Sequence, residues 1–474
     1  MRVAICHYHL RTGGVTRIIA HAARALGAAG IGVVVLSGEA PALPWSVPVR
    51  VVPGLGYDGG GSAEGLARSM AAAAADALGG PPDLWHVHNH SLGKNLLLPP
   101  ALHALAAAGG RLLLQIHDFP EDGRPRNYRR LLHELGGGDA AALARVLYPY
   151  APQVVYAALN RRDQGVLVAA GAEARLLPNP VWLPPRVAEV PVQAGLWLYP
   201  TRAIRRKNLG ELLLWAAVAP AGRRYATTLG PENPAEQPRY RAWVDLAGEL
   251  SLPVAFELGA GPGTRFEELV AAAECLVTTS VAEGFGMAFL EPWLLGRPVA
   301  GRDLPEVTGE FREAGIELDH LYRRLEVPVA WPGRDRLAAA AGAALEALFE
   351  GYGRRPAADA VECALAAWIR DERVDYGRLD EPLQARILRR LAAQPADRLA
   401  LEPAALPEPA DPGTLVARNR RVILEHYGLE DYGRRLLALY RELAGREPGP
   451  QGALDAGVIL DTFLDPARLH LLRT

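Results

Sequence analysis

Glu283 and Glu291 bracket the segment Glu283-Gly-Phe-Gly-Met-Ala-Phe-Leu-Glu291, which follows an apolar stretch at 275–278 and a small-residue turn at 280–282. Gly284 and Gly286, on either side of Phe285, carry no Cβ and let the backbone approach a ligand closely. The pattern opens a helix over 287–295, whose first free N–H groups would face an anion with help from the helix dipole. Two helical turns separate the glutamates, so both carboxylates can face one side. One can accept hydrogen bonds from sugar hydroxyls and the other from ribose hydroxyls. A charged, solvated helix start has the same composition.

Arg202-Ala-Ile-Arg-Arg-Lys207-Asn208 directly follows the first strand of the second half of the chain. Cations at that strand end can neutralise an anionic ligand, and the sequence shows no metal-ligand cluster, so no metal or other cofactor is expected. A basic strand-to-helix loop in solvent is the alternative. Lys94 and Lys207 are the only lysines of an arginine-rich chain, and a lysine kept at a strand end favours function. Gly13-Gly14-Val-Thr-Arg17 follows the first strand and opens a helix; it is not the G-x-G-x-x-G fingerprint, which argues against a dehydrogenase. His117 ends the strand 111–116 at the carboxyl edge, where open α/β sheets bind ligands, with Asp118 next to it as an orienting partner. A histidine that caps a loop is the other reading.

The 283–291 segment resembles the E-x7-E motif of retaining GT-B glycosyltransferases, notably glycosyltransferase family 4. The resemblance implies that Glu283 contacts the transferred sugar, that Gly284, Phe285 and Gly286 offer backbone N–H groups, and that Glu291 holds the ribose. It also implies that Arg202 and Lys207, at the family's R-x4-K spacing, face the donor diphosphate. Gly13 and Gly14 would lie near the donor phosphate, and His117 would approach the sugar. Asp303-Leu-Pro-Glu306 resembles the family's loop near the nucleotide base, with Arg302-Asp303 where the family usually has paired glycines. The likeness covers both halves to about residue 350, and residues 419–430 look like the family's C-terminal helix that crosses back over the first domain. Residues 351–412 have no counterpart in it and could be a helical insertion, an oligomer contact or a cover on the cleft.

The acceptor side is carried by less specific features. Strand alternation would put His86, His88 and His90 on one side, ahead of Lys94 at a helix start. No carboxylate or thiolate neighbours these histidines, so a polar acceptor pocket that includes His88 and His90 is preferred to a metal site. Lys94 suits a carboxylate or phosphate. Arg124 and Arg126 lie in the arginine-rich loop past His117, and join Lys94 as candidates for a small anionic acceptor. The same residues would serve a lipid phosphate.

The elements that must position these residues alternate between short β-like runs and Ala/Leu-rich helical stretches, the α/β signature. Two doubly wound, Rossmann-like domains that face across a cleft, with a helical C-terminal extension, are expected. The boundaries read as 1–185 for an acceptor domain, 192–412 for a donor domain with 351–412 inserted, and 413–474 for helices returning to the first domain. Pro178 to Pro191 reads as the linker, and beyond residue 335 the pattern is purely helical. A net charge of −2 draws the chain to neither nucleic acid nor an acidic membrane. Three scattered cysteines fit a reducing compartment, and no stretch reads as a signal peptide or transmembrane helix, so a cytoplasmic enzyme is expected. Peripheral membrane attachment and a homo-oligomer stay open. The expected reaction moves a hexosyl group from a UDP- or GDP-sugar to a small anionic hydroxyl acceptor. A GT-B phosphorylase, a nucleotide-sugar epimerase and a non-catalytic nucleotide-sugar binder are the alternatives.

Overall fold

The computed structural model describes residues 1–183, 190–261 and 263–474. Residues 184–189 of the expected linker lie outside that description. Two compact units divide the chain. The first comprises Met1–Pro180, Gly351–Arg354 and Tyr427–Leu464; the second comprises Val181–Glu350, Arg355–His426 and Asp465–Thr474.

The first unit is built on a parallel sheet of β1 (Arg2–His7), β2 (Gly32–Ser37), β3 (Val49–Val51), β4 (Leu84–His88), β5 (Leu112–Ile116), β6 (Val154–Ala158) and β7 (Ala174–Leu176). Their order, β3-β2-β1-β4-β5-β6-β7, is doubly wound and reverses between β1 and β4. Helices cover both faces, so the strands are continuous apolar runs: Val3, Ala4, Ile5 and Cys6 of β1 are all fully buried. Helix Gly14–Ala28 turns Ile18, Ile19, Ala22, Ala23 and Leu26 inward at helical spacing. In the same core lie Tyr432, Leu436, Leu439, Tyr440 and Leu443 of helix Leu429–Ala444. The helical extension expected from 413 begins as two helices, Pro412–Tyr427 and Leu429–Ala444, with Gly428 between them.

The second unit repeats the plan with β8 (Leu196–Arg202), β9 (Arg224–Leu229), β10 (Val254–Ala255), β11 (Cys275–Thr278) and β12 (Val299–Gly301). The order β10-β9-β8-β11-β12 places the reversal between β8 and β11. Its core joins Trp197, Trp215 and Tyr225 to Trp368, Tyr376, Ile387 and Leu388. Residues 360–391 thus contribute to that core.

That segment is not purely helical. Arg373–Asp375 pairs antiparallel with Glu326–Pro328 on one side and Ile369–Arg370 on the other. The hairpin turns at Asp371 and Glu372, whose φ values of 47° and 55° are those of a type I′ turn. Asp-Glu is a weak sequence signal for that turn compared with Asn-Gly or Asp-Gly, which hides the hairpin from sequence reading. A second difference lies at 287–295: a short 3-10 turn, Met287–Phe289, precedes the single helical turn Glu291–Leu294. Pro292 lacks an N–H, and its ring would strike the carbonyl four residues earlier, so one continuous helix cannot form. Among the described residues, no helix is long and apolar enough to cross a membrane.

Candidate functional site

In the second unit, the carboxyl ends of β8 and β11 meet at the strand-order reversal, the position where open α/β sheets bind ligands. After β8 the chain makes a 3-10 turn, Arg205–Lys207, and Asn208 then takes a left-handed φ of 51°. Tyr199 and Thr279 hydroxyls each donate to the Lys207 carbonyl at 3.0 Å, which ties this turn to the sheet. After β11 the chain runs through Ser280 to Glu283.

The two loops join at Glu283. Its carboxylate pairs with Lys207 Nζ, lies 2.9 Å from Arg206 Nη1, and accepts the Ser280 hydroxyl at 2.6 Å. Arg206 also donates to the Ala282 carbonyl at 2.5 Å. Burial alone would raise the Glu283 pKa, but the Lys207 and Arg206 charges more than offset it and hold it down at about 2. Glu283 is therefore an ionised acceptor across the ordinary pH range, in contact with two cations.

Arg202 takes a different direction. Its guanidinium pairs with Glu232 at 2.8 Å and is 40% exposed, and Arg206 rather than Arg202 shares Glu283 with Lys207. A sequence reading has no direct signal for Arg206, because three basic residues in one 3-10 turn leave it about a third of a turn apart from each neighbour. Their orientation is set by partners: Glu381 takes Arg205 at 2.6 and 2.8 Å, leaving Arg206 and Lys207 for Glu283.

The glycines after Glu283 do separate jobs. Gly286 has φ 90°, and a Cβ there would overlap Val307 Cγ1, so only glycine fits. The Phe285 ring is buried and packs edge-on against Phe311, 5.6 Å between centroids. Glu291 is partly buried and opens the short helix Glu291–Leu294. Because the preceding turn is only three residues long, the helix dipole expected at 287 is correspondingly slight. In the 302–306 loop, Asp303 is buried and accepts the Thr308 hydroxyl at 2.5 Å, and Glu306 lies 3.4 Å from Arg468.

In the first unit, His117 follows β5 and is 8% exposed. Its Nε2 lies 2.9 Å from Nδ1 of His88, while Asn89 Oδ1 accepts from its backbone N–H at 2.8 Å. Burial, followed by the charges of His7 and His86, lowers the His117 pKa to about 3, so the imidazole is neutral near pH 7. Asp118 does not orient it; its carboxylate instead takes Arg124 at 2.5 Å.

The other histidines correct the expected acceptor pocket. Alternation brings His86 and His88 together, 4.3 Å between ring centroids, but Asn89 has φ 55° and turns the chain before His90. His90 is fully buried and its Nε2 lies 2.9 Å from the Leu147 carbonyl. His86 is held by Tyr440 and Gln115, and His88, also fully buried, meets His117. Neither His88 nor His90 presents a surface to an acceptor, and His88 is placed to hold His117.

Lys94 precedes its helix by a turn, because Asn95 Oδ1 accepts from Leu97 and Leu98 N–H groups and starts the helix at Leu98. Its ammonium sits 5.5 Å from the centre of the Tyr57 ring. Arg124 is engaged inside its own loop by the Phe119 and Asp122 carbonyls, whereas Arg126 is exposed. Gly13 and Gly14 are exposed at the start of helix Gly14–Ala28. No group of histidine, cysteine and acidic side chains with metal-holding geometry occurs among the described residues.

No family model matches the chain. Mannosylglucosyl-3-phosphoglycerate synthase of Petrotoga mobilis is 26% identical over 237 residues, a match that spans 44% of this chain and 44% of that relative. Among solved structures, sucrose-phosphate synthase from Thermosynechococcus elongatus aligns with a TM-score of 0.52 at 16% identity, covering 93% of this chain and 98% of the other. HepE of Anabaena, solved with UDP and glucose, aligns with a TM-score of 0.53 at 14% identity, covering 93% and 100%. These likenesses show the fold: α/β, with the paired Rossmann-like units of GT-B glycosyltransferases.

Proposed function

We propose that the chain is a retaining glycosyltransferase of the family 4 type, which moves a hexosyl group from a UDP- or GDP-sugar to a small anionic acceptor. The observation that carries this reading is the meeting of Lys207, Arg206 and Glu283 at the strand-order reversal of the second sheet. Two cations beside one buried carboxylate supply what the reaction needs without a metal: positive charge for the leaving diphosphate and an ionised acceptor for sugar hydroxyls. Glu291 takes the ribose, and the backbone of Gly284 to Gly286 takes the donor's anionic oxygens, with Gly13 and Gly14 as further backbone donors. Neutral His117 meets the transferred sugar. In this reading the acceptor hydroxyl attacks from the face the diphosphate leaves, and a donor phosphate oxygen takes its proton, so no carboxylate nucleophile is required.

The anionic acceptor rests on Lys94 and Arg126 in the first unit. The name of the Petrotoga relative, a phosphoglycerate glycoside synthase, agrees with a phosphorylated acceptor. The UDP and glucose of the HepE complex agree with a nucleotide-sugar donor.

Thermal unfolding with UDP, GDP or ADP, in a chelator, tests the donor assignment. A ligand that binds the native state alone raises stability by about 2.7 kcal/mol at a hundred times its Kd. A rise with UDP or GDP is expected and directs transfer assays to that sugar series. Stabilisation by sugar phosphates and by no nucleotide would replace the reading with a phosphorylase.

A further inference from the structure

The second unit contains one segment that neither the resemblance nor the proposed chemistry accounts for, and its polar contacts converge on the turn behind Lys207. Gln384, fully buried in helix Glu381–Ala393, donates its Nε2 to Asn208 Oδ1 at 2.9 Å. The other end of the Asn208 carboxamide donates to Glu211 Oε2 at 2.8 Å. Glu211 is itself fully buried and accepts two bonds from Arg302, at 2.7 and 2.8 Å, and one from Tyr322 at 2.6 Å. Arg302 then bonds Asp375 at 2.8 and 3.0 Å. Gly210 makes the contact possible, since a Cβ there would overlap Gln384 Oε1.

Asn208 is where this chain of contacts meets the site. Its left-handed backbone follows Lys207 directly, a conformation that asparagine adopts more readily than other residues with a Cβ when its side chain is hydrogen-bonded. Both ends of its side chain are held, and among the described residues only Gln384 donates to its Oδ1. We propose that Gln384 is a positioning residue: by fixing the Asn208 turn it aims Lys207 at Glu283. The 375–384 segment is then a working part of the donor site. The consequence for a leaving diphosphate rests on the proposed function; the aim of Lys207 does not.

Because Lys94 and Lys207 are the only lysines, acetic anhydride labelling read by mass spectrometry reports Lys207 directly, with Lys94 of the first unit as the reference. Gln384→Met keeps the side-chain volume and removes the amide. It also removes the bond from Gln384 to the Tyr376 carbonyl, and the loss of the one at Asn208 is expected to raise the Lys207-to-Lys94 labelling ratio about tenfold. UDP or GDP should bind about tenfold more weakly, with affinity for the free nucleoside unchanged. Asn208→Gly, which tolerates the left-handed backbone without the side chain, serves if Gln384→Met fails to fold and should raise the ratio likewise. An unchanged ratio in a folded variant overturns the proposal, as does an equal loss of nucleoside and diphosphate affinity. A raised ratio in a protein that binds no nucleoside diphosphate keeps the positioning role and removes the donor reading.

Discussion

Arg202, Arg206 and Lys207 show how far residue type leads and where it stops. All three are cations at the end of β8, but Lys207 and Arg206 meet Glu283 while Arg202 pairs with Glu232. Electrostatic support for a leaving group is worth most where solvent is excluded. Lys207→Ala and Arg206→Ala should each lower kcat for transfer about 100- to 1000-fold, and Arg202→Ala should cost much less. Steady-state rates with saturating nucleotide sugar decide it: a silent Arg206→Ala beside a crippled Arg202→Ala would reverse the assignment. Lys207 and Glu283 stood out in the sequence because each follows an apolar strand run, and the resemblance assigned both to the donor. The sequence could not rank the arginines, since in a 3-10 turn direction depends on which acids from distant segments arrive. Glu232 and Glu381 are those acids here.

At the scale of elements, two features of the donor loops follow from packing. Gly286 combines φ 90° with a side chain position already filled by Val307. Gly286→Ala should destabilise the second unit by about 1–3 kcal/mol and displace the Glu283 loop, seen as a lower Tm together with weaker nucleotide binding. Unaltered Tm and binding would mean the turn has slack that the geometry does not show. The Arg302 cluster carries a second test. Arg302→Ala leaves Glu211 and Asp375 buried without a counter-charge, a loss of about 3–5 kcal/mol by urea unfolding near pH 7. Protonation relieves unpaired buried carboxylates, so the deficit should shrink as pH falls; a deficit constant with pH would show that the charge is not its source. The strand-helix alternation and the two parallel sheets were legible, because buried parallel strands are unbroken apolar runs that helices must separate. The hairpin at 369–375 was not, because its turn is Asp-Glu. Nor was the purpose of Arg302-Asp303: the partner of Arg302, Asp375, lies more than seventy residues along and comes from that same hairpin.

For the whole molecule, the distribution of buried histidines gives the two units different responses to acid. His7, His86, His88, His90 and His117 all lie in the first unit. Burial is the main reason that the pKa values of His7, His86 and His90 fall from 6.5 to about 4, that of His117 to about 3, and that of His88 well below the usual range. Above pH 6.5 both folded and unfolded states carry these rings neutral, and they do not affect stability. Below pH 6.5 the unfolded chain binds protons that the folded unit refuses, so stability falls with pH until the folded values are reached. Each ring contributes up to about 1.4 kcal/mol per pH unit, so five together approach about 7 kcal/mol per unit, enough to exhaust the stability of an ordinary domain within one to two units. Burial shifts His9 and His21 of the first unit the same way, whereas among the histidines of the second unit only His320 and His470 are so shifted. Its Glu283, with a pKa of about 2 in place of 4.5, supplies stability that persists above pH 4.5 and is lost only as pH falls toward 2. The first unit should therefore unfold first, near pH 5. Trp45 and Trp85 are the only tryptophans of the first unit, so total tryptophan fluorescence follows mainly the second, whereas far-UV ellipticity follows both. On acid titration the ellipticity should drop before most of the fluorescence change. His86→Phe keeps an apolar ring at one buried site and should reduce the steepness of the first transition by about one proton. Coincident transitions, or a first transition equally steep in His86→Phe, would show that burial of these imidazoles does not set the acid limit of the fold.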